Sequence, residues 1–436
     1  MATLSKETLS GNLVKQFKKT RAQTLELVKT LEKDDYVVQT APYMSPPKWH
    51  IGHVSWLFEI LLSKALSNYE FYSEEFSKYL NSYYHQFGEP HEKAKRGIIS
   101  RPTVDEALEY FNTISDRVIN FLENNSPNKE VSTLFTMGIN HEYQHQELLV
   151  YDLQHLLADG YRPVQKNPQP TTGSMEQKSI KIEGGLYNLG YSGSDFCYDI
   201  ELPEHRVYLN NYKIDAFPVT NQEYVKFIED GCYQDYKYWL SDGWDVVKAN
   251  KWEAPMYWEK ENGKWIIHDF LGKRNINPNE PVCHVSFYEA DAYSKWTGKR
   301  LPTEAEWEKA ACWNKEKQTK TIFPWGNELP IENKANLLES YIWACSEIGS
   351  YPEGKSHYGC HQMIGDVWEW TCSEFTGYPG FKTGFSEYND KWFSNQKVLR
   401  GGSFGTPKLS IRSSYRNFFR LDERWMLSGI RCAERV

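Results

Sequence analysis

His141-Glu142-Tyr143-Gln144-His145 and Trp49-His50-Ile51-Gly52-His53 are the stretches on which the reading of this chain turns. Residues four apart on a helix are neighbours on one face, so His141 and His145 can bind one metal ion. A third histidine from another helix completes a three-nitrogen face with open coordination positions. That arrangement suits metal catalysis better than structural metal binding. His50 and His53, three residues apart, compete for the third place. His155 does not, because ten residues beyond His145 is about 15 Å along a helix axis.

Working outward, the pattern is helical from Ser5 to about Asp159. Leu13, Phe17, Leu25, Val28 and Leu31 recur at roughly helical spacing. Ser45-Pro46-Pro47 reads as a capped helix start, since proline is tolerated in a first turn, and the run from His50 to Leu66 continues it. Thr103-Val104-Asp105-Glu106 opens another helix, through Leu108, Phe111, Ile114, Val118 and Phe121. A fourth runs from about Val131 to Ala158. Four long helices predict a bundle, the architecture in which metal sites form between facing helices.

Residues 160–178 are rich in Pro, Gly, Thr and Gln and read as a linker or surface loop. Beyond them the texture changes. Ser179-Ile180-Lys181-Ile182 and Arg206-Val207-Tyr208-Leu209 alternate like strands, and short helices are expected over 221–228, 286–296 and 303–313. Long Trp-, Gly- and Pro-rich stretches lie between them. The predicted fold is α+β in two domains: a bundle over 1–159, a linker over 160–178 and a loop-rich domain over 179–436.

The 436 residues include 16 Trp, 29 Tyr and 21 Phe, which favours packed aromatic pockets. A net charge of −8 gives no reason to expect nucleic acid. The charged, amphipathic start lacks a signal-peptide core, and no apolar run approaches the roughly eighteen residues of a membrane span. A cytoplasmic protein is expected. All eight cysteines follow Phe196 without a Cys-x-x-Cys pair, so neither a zinc ribbon nor a thioredoxin-type site is supported.

Taken alone, His141-Glu142-x-x-His145 is a zinc-hydrolase signature with Glu142 as general base. That reading needs a third ligand and a substrate cleft. Histidines merely packed in a bundle would each still need a hydrogen-bond partner.

Several blocks in order carry a resemblance. Pro46-Pro47-Lys48-Trp49-His50-Ile51-Gly52-His53, Asn81-Ser82-Tyr83-Tyr84, Arg96-Gly97-Ile98-Ile99-Ser100-Arg101-Pro102 and His141-Glu142-Tyr143-Gln144-His145-Gln146-Glu147 resemble the DinB-type metal domain of the ergothioneine-biosynthetic sulfoxide synthases, the EgtB family. The second half resembles the C-type-lectin-like, formylglycine-generating-enzyme-like (sulfatase-modifying-factor) domain that follows there. The matching stretches include Arg300-Leu301-Pro302-Thr303-Glu304-Ala305-Glu306-Trp307-Glu308, Gly365-Asp366-Val367-Trp368-Glu369-Trp370, Arg400-Gly401-Gly402-Ser403-Phe404 and Gly429-Ile430-Arg431-Cys432.

The resemblance implies an Fe(II) enzyme that uses O2 to join a thiol to carbon 2 of hercynine, with oxidation of sulfur to a sulfoxide. It puts the iron ligands on His53, His141 and His145. It implies that Gln144 bonds the imidazole substrate and that Asn417 lies near the trimethylammonium end. Phe418, Phe419 and Trp425 would hold that cation by cation–π contact. Arg96 and Arg101 suit capture of an amino-acid thiol's carboxylates. A tyrosine is expected as proton donor, with Tyr83 and Tyr84 the preferred pair and Tyr378 in reserve; a phenol near pKa 10 stays protonated at neutral pH. The Tyr83-Tyr84 pair resembles the branch that uses free cysteine. A selenosugar as donor, or histidine in place of hercynine on the ovothiol route, are the near alternatives. The copper-dependent formylglycine-generating activity is disfavoured, because Ser410-Ile411-Arg412-Ser413-Ser414-Tyr415-Arg416 lacks the cysteines that copper(I) requires. A purely ligand-binding second domain is the non-enzymatic reading.

Overall fold

A computed structural model of the chain describes residues 6–436 except Tyr83, Gln86, Phe87, Ser126, Asp159, Gly173, Ser174, Ile331, Glu332, Ser386 and Glu387, with side chains from Gly11 onward. It divides into two compact units, Met1–Val164 and Gln165–Val436.

The first unit is helical: α1 (Lys6–Val28), α2 (Pro47–Ala65), α3 (Glu74–Leu80), α4 (Val104–Asn124) and α5 (Lys129–Leu157). The centre is α2, buried continuously from Pro47 to Leu62. A helix covered on all sides needs no polar face, and α2 packs on α3, α4 and α5, while α1 packs on α4 and α5. Pro47 occupies the first helical position, where its missing N–H costs nothing. Ser45 is not the cap that the sequence suggested: its Oγ accepts from Arg96 Nη1 at 2.8 Å instead. The Thr103/Glu106 capping box does open α4, and Asn128 caps α5 through the Val131 N–H. Among the described residues, no helix is long and apolar enough to cross a membrane.

Among the described residues, the second unit has four short helices and fourteen short strands. β1 (Ser179–Ile182), β4 (Tyr212–Asp215) and β14 (Ala433–Arg435) form one antiparallel sheet, and β2 (Gly185–Leu189) pairs with β3 (His205–Leu209). β5 (Trp258–Glu261), β6 (Lys264–Asp269) and β7 (Gly272–Asn275) make a meander, and β8 (Trp313–Asn314) pairs with β9 (Thr319–Lys320). The four-stranded sheet runs β12 (Asn417–Arg420), β11 (Gln396–Arg400), β10 (Trp368–Glu374) and β13 (Ser428–Gly429), the last pair parallel.

Of the helices, α6 (Asn221–Glu229), α8 (Phe287–Trp296) and α9 (Glu304–Cys312) lie where their capping boxes announce them. Unforeseen is α7 (Ser241–Asn250), which contains Gly243 and has no side-chain cap. Its weak propensity is overridden by packing: a Cβ at Gly243 would meet Tyr288 Cδ1 at 2.7 Å, so only glycine lets α7 approach that ring.

With so little regular structure, buried ion pairs hold the loops. Arg400 bridges Glu304 and Glu308 at 3.0 and 3.1 Å, and Arg416 joins Glu304 at 2.9 Å. Arg431 meets Glu369 at 2.7 Å, where Trp307 Nε1 also donates, at 2.6 Å. The Pro- and Gln-rich stretch after Val164 is bound along this unit. Gln169 Nε2 donates to Glu280 and to the Cys345 carbonyl, and the Thr172 N–H to Glu347.

Removing one partner of a buried pair strands the other charge, at a cost of about 3–5 kcal/mol. Arg431→Met should therefore lower the stability of the second unit by about that amount, read as an earlier urea midpoint in near-UV circular dichroism.

Candidate metal centre

Four imidazoles meet where α2 faces α5. His50 and His53 come from the first helix, His141 and His145 from the second. The nitrogens of His53, His141 and His145 lie within 4.8 Å of one another, the one cluster of His, Cys, Asp or Glu so placed among the described residues. The Nε2 atoms of His53 and His141 are 3.3 Å apart. His53 and His141 are buried, and His145 is partly exposed.

The hydrogen on His53 can be placed. Its Nδ1 lies 2.6 Å from the Leu80 carbonyl, which only accepts, so Nδ1 carries the hydrogen and Nε2 turns a lone pair toward His141. Gly52 makes this contact available, because a Cβ there would meet Leu80 Cδ2 at 2.6 Å. The backbone of α3 thus reaches His53 because the residue beside it has no side chain.

Burial pushes all four imidazoles toward the neutral form. His53 and His145 lie well below the usual histidine range, through desolvation and then the His141 ring; His141 is lowered to about 3, through desolvation and then His50. Desolvation also lowers His50, against the opposing pull of Asp152. Neutral imidazoles are what a transition-metal ion requires of its ligands. The donor set fits such a metal: three nitrogens, no hard-oxygen cage, and coordination positions left over.

His50 stands outside this set with both ring nitrogens engaged. Its Nδ1 is 3.0 Å from His145 Nδ1, and its Nε2 is 2.9 Å from Asp152 Oδ2. Glu142 points away from the cluster into α1. Arg21 Nη1 reaches one of its oxygens at 3.1 Å and Thr24 Oγ1 the other at 2.5 Å. With both oxygens committed to a buried pair, Glu142 is not available as the general base of a zinc hydrolase, which corrects that reading.

Arg96 is not a solvent-facing clamp. It is buried 3.4 Å over the Trp49 ring, which in turn stacks on His53 with centroids 4.5 Å apart and planes at 11°. This guanidinium–indole–imidazole stack fixes the ring plane of His53. Arg101 is exposed ahead of α4, and Gln144 is half-buried beside His145. Tyr84 is buried against Trp56, whose ring packs on His53 at 5.6 Å. Tyr83 lies outside the described residues.

In the second unit, Tyr378 is buried, with its hydroxyl donating to Glu304 at 3.2 Å and accepting from Arg400 at 3.0 Å. Desolvation raises its pKa far above the usual phenol value. It belongs to the ion network of that unit. Successive residues of a strand point to opposite faces. Phe418 accordingly stacks on Phe375 at 3.9 Å, whereas Phe419 meets Trp425 edge-on at 6.1 Å. The three aromatics therefore do not form one cage, and Asn417 shares the strand face of Phe419. The sequence reading missed Asp152, although it falls two helical turns after His145 on the same face. It missed the Leu80 carbonyl too, which no side-chain pattern announces.

Residues 16–149 match the DinB superfamily and residues 164–436 the sulfatase-modifying factor enzyme 1-like domain. The chain is 32% identical over 444 residues to the hercynine oxygenase of Mycolicibacterium smegmatis, covering 99% of each protein. To the hercynine oxygenase of Mycobacterium tuberculosis it is 32% identical over 417 residues, covering 95% of this chain and 96% of that one. A formylglycine-generating enzyme from Thermomonospora curvata is 30% identical, but over only 46% of this chain and 73% of its own length.

The neutral cluster fixes a pH dependence. Unfolded histidines titrate near 6.5, so below that value the unfolded chain takes up protons that the buried rings refuse. Stability of the metal-free protein should fall as pH drops from about 6.5, the loss for His141 continuing to about 3. A His141→Leu variant should show a shallower decline of Tm over pH 6.5–5 in thermal melts.

Proposed function

The chain belongs to the hercynine oxygenase family, a DinB-type bundle joined to a sulfatase-modifying-factor-like domain, and from that premise we propose that it is an iron(II)- and O2-dependent sulfoxide synthase acting on hercynine and cysteine. The observation that carries the reading is the convergence of His53, His141 and His145. The overall reaction replaces the C2–H of hercynine and the S–H of the thiol by a C–S bond. One oxygen atom of O2 enters the sulfoxide and the other leaves as water, so the four electrons given up by carbon and sulfur are those that reduce O2.

Iron(II) held by the three imidazoles would supply the open positions at which thiol, imidazole and O2 are brought together. The residues of this chain do the rest. The Leu80 carbonyl and the Trp49–Arg96 stack hold His53 in its tautomer and plane. Gln144, half-buried beside His145, is proposed to orient the imidazole of hercynine. Arg101 is the exposed one of the two arginines proposed for the carboxylate of the thiol. Phe419 and Trp425, with Asn417 on the same strand face, suit a trimethylammonium group. Tyr84, paired with Tyr83 in sequence, is proposed as the proton donor to reduced oxygen. The reaction is placed in the cytoplasm, a setting in which the eight free cysteines stay reduced.

Full-length protein loaded anaerobically with Fe(II), then given hercynine, O2 and cysteine, should yield the cysteine–hercynine sulfoxide by mass spectrometry. Parallel runs with γ-glutamylcysteine and with a selenosugar identify the donor. An absence of any O2-dependent adduct in all three would sink the proposal.

A further inference from the structure

We propose that His50 and Asp152 are positioning residues that hold His145 in the tautomer a metal requires, through the relay Asp152–His50–His145; this rests on the three-histidine site as read above. The hydrogens follow from the partners. Asp152 Oδ2 accepts from the Ser45 N–H at 3.0 Å, which pins the carboxylate at the entrance to α2. A carboxylate only accepts, so His50 Nε2, 2.9 Å away, carries a hydrogen. An imidazole with one hydrogen has one donor and one acceptor, so with Nε2 donating to Asp152 the His50 Nδ1 presents its lone pair. That atom lies 3.0 Å from His145 Nδ1, so the hydrogen between them belongs to His145. The Nε2 lone pair of His145 is then the one free for a metal.

Distance explains why a second histidine is used. Asp152 lies seven residues beyond His145 on α5, about 10 Å along the helix axis, too far for a direct hydrogen bond. His50, crossing from α2, spans the gap. His53 and His145 thereby reach the same state by different means. One donates to a backbone carbonyl and the other to a neutral ring backed by a carboxylate, a partner that makes a ligand more basic.

The alternative is that His50 and Asp152 merely tie α2 to α5. Metal affinity and spectrum separate the two, because a purely structural tie would leave both unmoved in a folded variant. Anaerobic titration of the full chain with Co(II) and Fe(II) against a chelator, with the visible Co(II) spectrum, provides the readout. His50→Leu is expected to bind about 10–100-fold more weakly, the usual effect of losing such a partner, with an altered Co(II) spectrum. His50→Gln should recover most of the affinity, since its amide can accept from His145 and donate to Asp152. Asp152→Asn should fall between. If His50→Leu melts as a folded protein yet binds Co(II) with native affinity and spectrum, the relay is wrong. If that variant does not fold, native binding and spectrum in Asp152→Asn overturn the relay instead. A folded native chain that takes up neither metal overturns the three-histidine reading itself, and is distinguished by failing before any substitution.

Discussion

Four imidazoles taken out of water between two helices impose the constraint around which the first unit is arranged. A buried ring nitrogen without a partner is costly, and each neutral imidazole offers one donor and one acceptor. For His53 and His145 the outward nitrogens are anchored elsewhere. Gly52 admits the Leu80 carbonyl for one ring, and His50 with Asp152 serves another. The Trp49–Arg96 stack adds a cation that further disfavours protonation of His53. On the far side of α5, Arg21 and Glu142 lock α1 in place. The cluster is thus less a set of three residues than the outcome of several local hydrogen-bond decisions.

The second unit solves a different problem. Its strands are short and its loops long, so cohesion comes from charges buried in mutual contact. The residues that do this belong to the blocks through which the family resemblance was first visible: Glu304, Glu308, Glu369, Arg400 and Arg431. Thr303 and Glu306 of the first such block form a helix cap. Similarity in this half accordingly reports a scaffold. Chemistry has to be argued from side chains that the scaffold leaves uncommitted.

Much of the architecture was legible because its signals are local. Thr103 with Glu106 and Thr303 with Glu306 mark helix starts through hydrogen bonds closed within four residues. His141 and His145 share a face by helical geometry alone. The failures occur where distant contacts decide. Spacing puts Glu142 next to His141 in sequence but not in direction, since one residue turns a helix by about 100°, toward Arg21. Helix α7 depends on a ring more than forty residues away, Ser45 serves Arg96 rather than a helix end, and Phe418 and Phe419 part company because a strand alternates.

The Leu80 carbonyl has a mechanical meaning as well as an electronic one. It ends α3, and the next residue, Asn81, holds Tyr84: its side chain accepts from the Tyr84 N–H at 3.0 Å and donates to the Tyr84 carbonyl at 2.9 Å. The Asn81–Tyr84 hydrogen bonds and the hydrogen bond to His53 are therefore consecutive links along the chain. Any shift of Asn81 would reach the His53 imidazole through a single peptide unit, as a lever acts through its fulcrum.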